Sequence, residues 1–172
     1  LKSYVQRINY ANDTVSSTTF AILTTGTPRS YCAGNKNYGW VCDGSGSYST
    51  IERVDYSNDT ATAAEKGPLV SARYRYYATG NTSYGYWGGG EVPGPNKSTI
   101  DRLDYSSDTA TAVARGYLTA ARMALGAVSP RDYALKPYIF SISTSFAFGN
   151  NPKPPGGFGY WAGGQPYPGQ TT

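Results

Sequence analysis

The stretch Arg53-Val54-Asp55-Tyr56-Ser57-Asn58-Asp59-Thr60 returns as Arg102-Leu103-Asp104-Tyr105-Ser106-Ser107-Asp108-Thr109. An earlier form reads Arg7-Ile8-Asn9-Tyr10-Ala11-Asn12-Asp13-Thr14. From Arg7 to Arg53 is 46 residues, and from Arg53 to Arg102 is 49. Aligned without a gap, Ser49–Arg73 and Ser98–Arg122 share 16 of 25 residues. A period of this size marks a supersecondary unit that buries its apolar face by stacking on its own copies.

A second phrase keeps the same rhythm. Tyr38-Gly39-Trp40 is followed by Tyr84-Gly85-Tyr86-Trp87-Gly88-Gly89-Gly90, and then by Phe158-Gly159-Tyr160-Trp161-Ala162-Gly163-Gly164. The last copy comes late, so the third repeat carries an insertion over about 134–157, or a decayed unit fused to it. The units are expected at 1–48, 49–97 and 98–172. Both ends of the chain fall at a repeat boundary, which reads as three whole repeats, either a processed product or an excerpt.

Within a unit, Arg102-Leu103-Asp104-Tyr105 alternates, placing Leu103 and Tyr105 on one face as a half-buried strand does. Ser106-Ser107-Asp108 is turn chemistry, because short polar side chains bond their own backbone. Thr109-Ala110-Thr111-Ala112 suits a returning strand, and Gly67-Pro68, matched by Gly116, breaks the chain again. A Leu/Ala/Arg segment then leads into the aromatic strand. Leu118–Leu125 is the one place where a helical turn is expected. Four short strands per unit predict an all-β chain, and that is the size of a propeller blade. Tyr10, Tyr56, Tyr105, Trp40, Trp87 and Trp161 are the expected repeat core.

Composition narrows the chemistry. Among 172 residues are 21 Gly and 11 Pro, which favour short segments, and aromatics reach 15%. There is no His, which removes His-based triads and most zinc or copper sites. Two Cys cannot hold a structural zinc alone. No cofactor is implied, and an enzyme is the poorer reading. The net charge of +4 is spread among acids rather than gathered in a stripe, which argues against nucleic acid. The most apolar run, Tyr138–Phe148, is too short to span a bilayer as a helix.

The Asp-Tyr-Ser-Asn-Asp-Thr turn, the later Arg73 and Arg122, and the Tyr-Trp-Gly-Gly-Gly strand end resemble the kelch repeat of β-propellers. More closely, the wording is similar to tandem repeats in virion structural and tail-fibre proteins of aquatic bacteriophages. Repeat one departs from it, with Val41-Cys42-Asp43-Gly44 where glycines are expected. The resemblance implies kelch-like blades in a larger or oligomeric assembly, at a virion surface or outside a cell. It implies a structural and adhesive role in an appendage that meets host-surface glycan. The other reading is a secreted protein, either a lectin-like propeller or the subunit of an extracellular filament. Three blades leave open edges, so the partners expected are other copies of the chain or further repeats.

Several residues carry a functional and a plain reading side by side. Asp55-x-Ser57-x-Asp59 and Asp104-x-Ser106-x-Asp108 open like a calcium loop, but lack its Gly and distal Glu, and a hairpin turn is simpler. Asn12, Asn58, Asn81 and Asn96 open glycosylation sequons, yet Asn12 and Asn58 also suit turns. Cys32 and Cys42 either bridge adjacent strands or are fortuitous small residues. Arg7, Arg53 and Arg102 are expected to pair on one face with Asn9, Asp55 and Asp104; a polyanion stripe would need them unpaired. The insertion aromatics Tyr138, Phe140, Phe146 and Phe148 are the best ligand-binding candidates, since loops often carry function.

Overall fold

The computed structural model describes residues 4–129 other than 10, 13, 25, 27, 28 and 45–47, together with the backbone of 160–165. The strands are β1 (Tyr4–Arg7), β2 (Thr18–Ile22), β3 (Ser30–Gly34), β4 (Tyr38–Asp43), β5 (Ile51–Asp55) and β6 (Ala64–Lys66). They continue as β7 (Tyr77–Gly80), β8 (Tyr84–Gly88), β9 (Thr99–Asp104), β10 (Val113–Tyr117), β11 (Met123–Val128) and β12 (Tyr160–Gln165). The chain is all-β, and the described strands pair antiparallel. Among the described residues no helix is long and apolar enough to cross a membrane.

The sheets are out of phase with the repeats. One four-stranded sheet runs β3-β4-β5-β6, a second runs β7-β8-β9-β10, and β1-β2 and β11-β12 are two-stranded. Each four-stranded sheet therefore joins the last two strands of one repeat to the first two of the next. The boundaries at 48–49 and 97–98 fall between the two central strands of a sheet, not between sheets. The registers match across the two joints: Tyr38 faces Asp55 and Trp40 faces Arg53, while Tyr84 faces Asp104 and Tyr86 faces Arg102.

Alternation then stacks the sheets in series. Because successive side chains point to opposite faces, Val41 and Val54 turn back toward β1-β2, where they pack with Ala21, Leu23 and Ala63. Trp40, Cys42 and Ile51 turn forward and meet Leu69, Tyr76, Trp87 and Leu103. The Trp of repeat two is one place later than that of repeat one, so it points back while Trp40 points forward. The two rings thus fill the same core from opposite sides, and both are buried.

The turns differ from expectation in two places. The strand returning after Asp108 begins at Val113 rather than Thr109. Its predecessors cannot join the ladder: the Ala110 N–H bonds Ser107 O and the Ala112 N–H bonds Pro68 O. Leu118–Leu125 forms no helix, because its backbone donors reach outward. Leu118 N–H bonds Ser98 O, Arg122 N–H bonds Lys97 O, and Ala124 N–H bonds Arg75 O. The one helical turn among the described residues is a 3-10 turn over Tyr105–Ser107, entered through Asp104, whose side chain accepts from Ser106 N.

Candidate functional site: the seams between repeats

Two seams join the three repeats, and they use the same contacts one repeat apart. Arg7 reaches Asp59 at 2.6 Å, and Arg53, its counterpart, reaches Asp108 at 2.9 Å. The expected pairing of each Arg with the Asn or Asp two places on is not what forms. Those side chains are taken by their own turns; the guanidinium groups of Arg7 and Arg53 cross to the next repeat instead, and that of Arg102 lies over the Tyr84 ring. Lys66 and the Trp40 indole N–H add to the second seam, 3.4 and 3.0 Å from Asp108.

Backbone and buried groups repeat in the same way. The Ala63 N–H bonds Ile22 O at 2.9 Å, and the Ala112 N–H bonds Pro68 O at 2.8 Å. Glu52 accepts from Thr24 N at 2.6 Å, and Asp101 accepts from Val70 N at 3.2 Å. Asp101 also meets Arg73 at 3.1 Å, with both side chains sealed from water. Burial pushes the Asp101 carboxyl up, while the Arg73 guanidinium and the Val70 N–H pull it back down. Arg73 donates further to Trp87 O at 3.0 Å. This pair was not singled out from sequence, although the recurrence of Arg73 as Arg122, and of Glu52 as Asp101, carried the signal.

The aromatic residues divide. Tyr105 stacks on Trp40, whereas Tyr56, its counterpart one repeat earlier, is 50% exposed and is not a core residue among the described contacts. Tyr10 and the side chain of Trp161 lie outside the described residues, as do Tyr138, Phe140, Phe146 and Phe148.

The carboxylates of the two calcium-like stretches are engaged elsewhere. Asp55 Oδ1 accepts from the Ser57 N–H and hydroxyl, and Asp104 Oδ1 does the same with Ser106. These bonds, the serine hydroxyl first, hold both carboxyls below the usual carboxylate range. Asp59 and Asp108 point away into the seams. Among the described residues no three of His, Cys, Asp and Glu gather where an ion could sit.

The other candidates divide by position. Asn12, Asn58 and Asn81 lie in turns; Asn12 accepts from Thr14, Asn58 from Thr60, and Asn81 from the N–H groups of Ser83 and Tyr84. Asn96 is buried, which removes it as a glycan acceptor in the folded chain. The bridge between Cys32 and Cys42 is not formed, and both are free thiols. Cys32 faces Val41 across the sheet and Cys42 faces Tyr31, so one-residue alternation sends the two sulfurs to opposite faces. Cys42 accepts instead from the Tyr76 hydroxyl at 3.1 Å in the core.

Two open clefts lie among the described residues, one of them against the first seam. An open cleft of about 480 Å³ lies in front of β9–β10, lined by Ile100, Tyr117, Leu118, Thr119, Arg122 and Leu125. A smaller one of about 350 Å³ lies against β1 and β5, lined by residues that include Val5, Arg7, Phe20, Val54 and Tyr56. Compared with known proteins, the chain matches no family model and no curated sequence.

Proposed function

We propose that the chain is a non-enzymatic structural and adhesive repeat module of a virion appendage, a tail fibre or similar, exposed at the virion surface. One observation carries the reading: two seams are built from the same ion pairs and backbone bonds, one repeat apart. The described carboxylates in these seams are spent on holding units together, and a stack of units is what a fibre needs. The wording of the repeats, similar to that of phage appendage proteins, supplies the setting. A kelch-like blade has four antiparallel strands, and the two complete sheets have that make-up. Contact with host glycan falls to the insertion, through Tyr138, Phe140, Phe146 and Phe148.

A secreted filament subunit is the second reading, favoured by the turn sequons of Asn12 and Asn58, both exposed. Immunogold labelling with antibody against the chain separates the two. Label on the appendages of purified virions is the expected result. Label confined to extracellular material, with glycan-bearing protein by mass spectrometry, would favour the second reading. Glycan-array binding that is lost in a chain lacking 134–157 would tie adhesion to the insertion.

A further inference from the structure

The two half-sheets at the ends of the chain, β1-β2 and β11-β12, have the composition of one whole sheet. In the complete sheets, β4 pairs with β5 and β8 pairs with β9. β12 is the third member of the β4, β8 series, and β1 is the first member of the β5, β9 series. Among the described residues, each has a partner on one edge only. We propose that copies of this chain join head to tail, the β12 edge of one copy pairing antiparallel with the β1 edge of the next. Carried over from the β8–β9 register, the new ladder sets Tyr160 opposite Arg7, Trp161 opposite Gln6, and Ala162 opposite Val5.

Three further observations fit a second copy at this place. Among the described residues, the front of repeat three is an unfilled version of the front of repeat two. Leu69 and Arg73 are sealed in the inner seam, at 2% and 1% exposed, while their counterparts Leu118 and Arg122 are only half-buried and line the open cleft. Arg7 and Arg53 each reach an Asp of the following repeat, whereas Arg102, over the Tyr84 ring, reaches none among the described residues. Its counterpart acid, one repeat before Asp59, is Asp13. Exposed apolar residues are present at both ends as well, with Tyr4, Ile8 and Val15 at one and Val113, Tyr117 and Val128 at the other.

The glycines show the same asymmetry. A methyl on Gly67 would run into the backbone of Ala110 in the next repeat, while at Gly116, its counterpart, no described residue lies within 4 Å. The space at Gly116 is where the turn of the next copy would sit. Its replacement by Leu therefore blocks the joint without touching the fold of the chain that carries it.

The inference rests on the structural reading above, but its test is independent of it. In a Cys32→Ser background, Val5→Cys with Ala162→Cys places two thiols opposite each other across the new ladder. Oxidation at micromolar concentration is expected to give a ladder of multiples of 18.4 kDa on a non-reducing gel. The pair Gln6→Cys with Ala162→Cys, one residue out of register, is expected to give none. Sedimentation of the unsubstituted chain is expected to show species that grow with concentration, and Gly116→Leu to stay a monomer with an unchanged melting temperature. A cross-link within one chain, no cross-link in a folded variant, or an unsubstituted chain that stays monomeric would each overturn the joint. Glycan binding by such a monomer would leave the adhesive reading standing.

Discussion

Trp40 lies flat on Tyr105, with ring centroids 3.6 Å apart and planes 3° from parallel, although the two belong to the first and third repeats. The stack clamps one four-stranded sheet to the other. It also sits beside the Asp108 carboxylate that receives Arg53 and the Trp40 N–H. Packing and charge thus meet at one point of the second seam.

Truncating the two equivalent tyrosines tests that clamp. Tyr105→Ala removes a stacked ring and leaves Trp40 facing a void, which is expected to lower stability by about 3 kcal/mol. Tyr56→Ala, at the half-exposed counterpart, is expected to lower it by about 1 kcal/mol or less. Chemical unfolding of both variants measures the difference, and equal losses would show that the stack is not the clamp.

The sealed pair Arg73–Asp101 gives a second test. Asp101→Asn leaves a guanidinium buried without its counter-charge, and a loss of about 3–5 kcal/mol is expected. Replacing both partners with apolar residues, Arg73→Met with Asp101→Leu, is expected to cost less than that single change. A double variant that loses the sum of the two singles would contradict the coupling.

Much of this was legible in the sequence, and what was not has a physical cause. Alternation marked β9, and Ser57 and Ser106 marked their turns, because those features are local. The phase of the sheets was hidden: a repeating pattern fixes the length of its unit but not where the sheet begins. A hairpin through the turn at Asn35–Asn37 and a joint across 44–50 look equally like unit boundaries. The partner of each Arg was hidden for a similar reason. Arg53 stands two places from Asp55 in the chain and on the same face of the strand, yet the turn bonds from Ser57 occupy Asp55 and the ion pair forms with Asp108.

Thiol chemistry follows from the opposite facing of the cysteines. Burial pushes the Cys42 thiol up to about 12, with the Tyr76 hydroxyl bond and Arg73 opposing it only in part. At pH 8 it is therefore protonated and enclosed, while Cys32 is exposed. A thiol reagent is expected to modify Cys32 alone in the folded chain and Cys42 only after denaturant. Two thiols reacting at one rate without denaturant, or none in the denatured chain, would refute this arrangement.

Acid should loosen the turns. Asp55 and Asp104 have folded pKa values below the ordinary carboxylate value because Ser57 and Ser106 donate to them. Their contribution is present above the unfolded value of about 3.9 and is lost as pH falls through the lower folded value. Asp101, shifted upward by burial, acts in the opposite sense. Melting temperatures from pH 6 to pH 2 are expected to fall less steeply in Asp55→Asn with Asp104→Asn than in the unsubstituted chain. Parallel curves would show that the two turns carry none of the acid sensitivity.

The pairing of β4 with β5 and of β8 with β9, across the repeat boundary, is the relationship on which the seams depend. Cross-strand backbone contacts in a nuclear Overhauser spectrum measure it without any substitution. The account predicts contacts from Gly39 to Val54 and from Gly85 to Leu103. Contacts that instead join β5 to β8, closing each sheet within its own repeat, would contradict it.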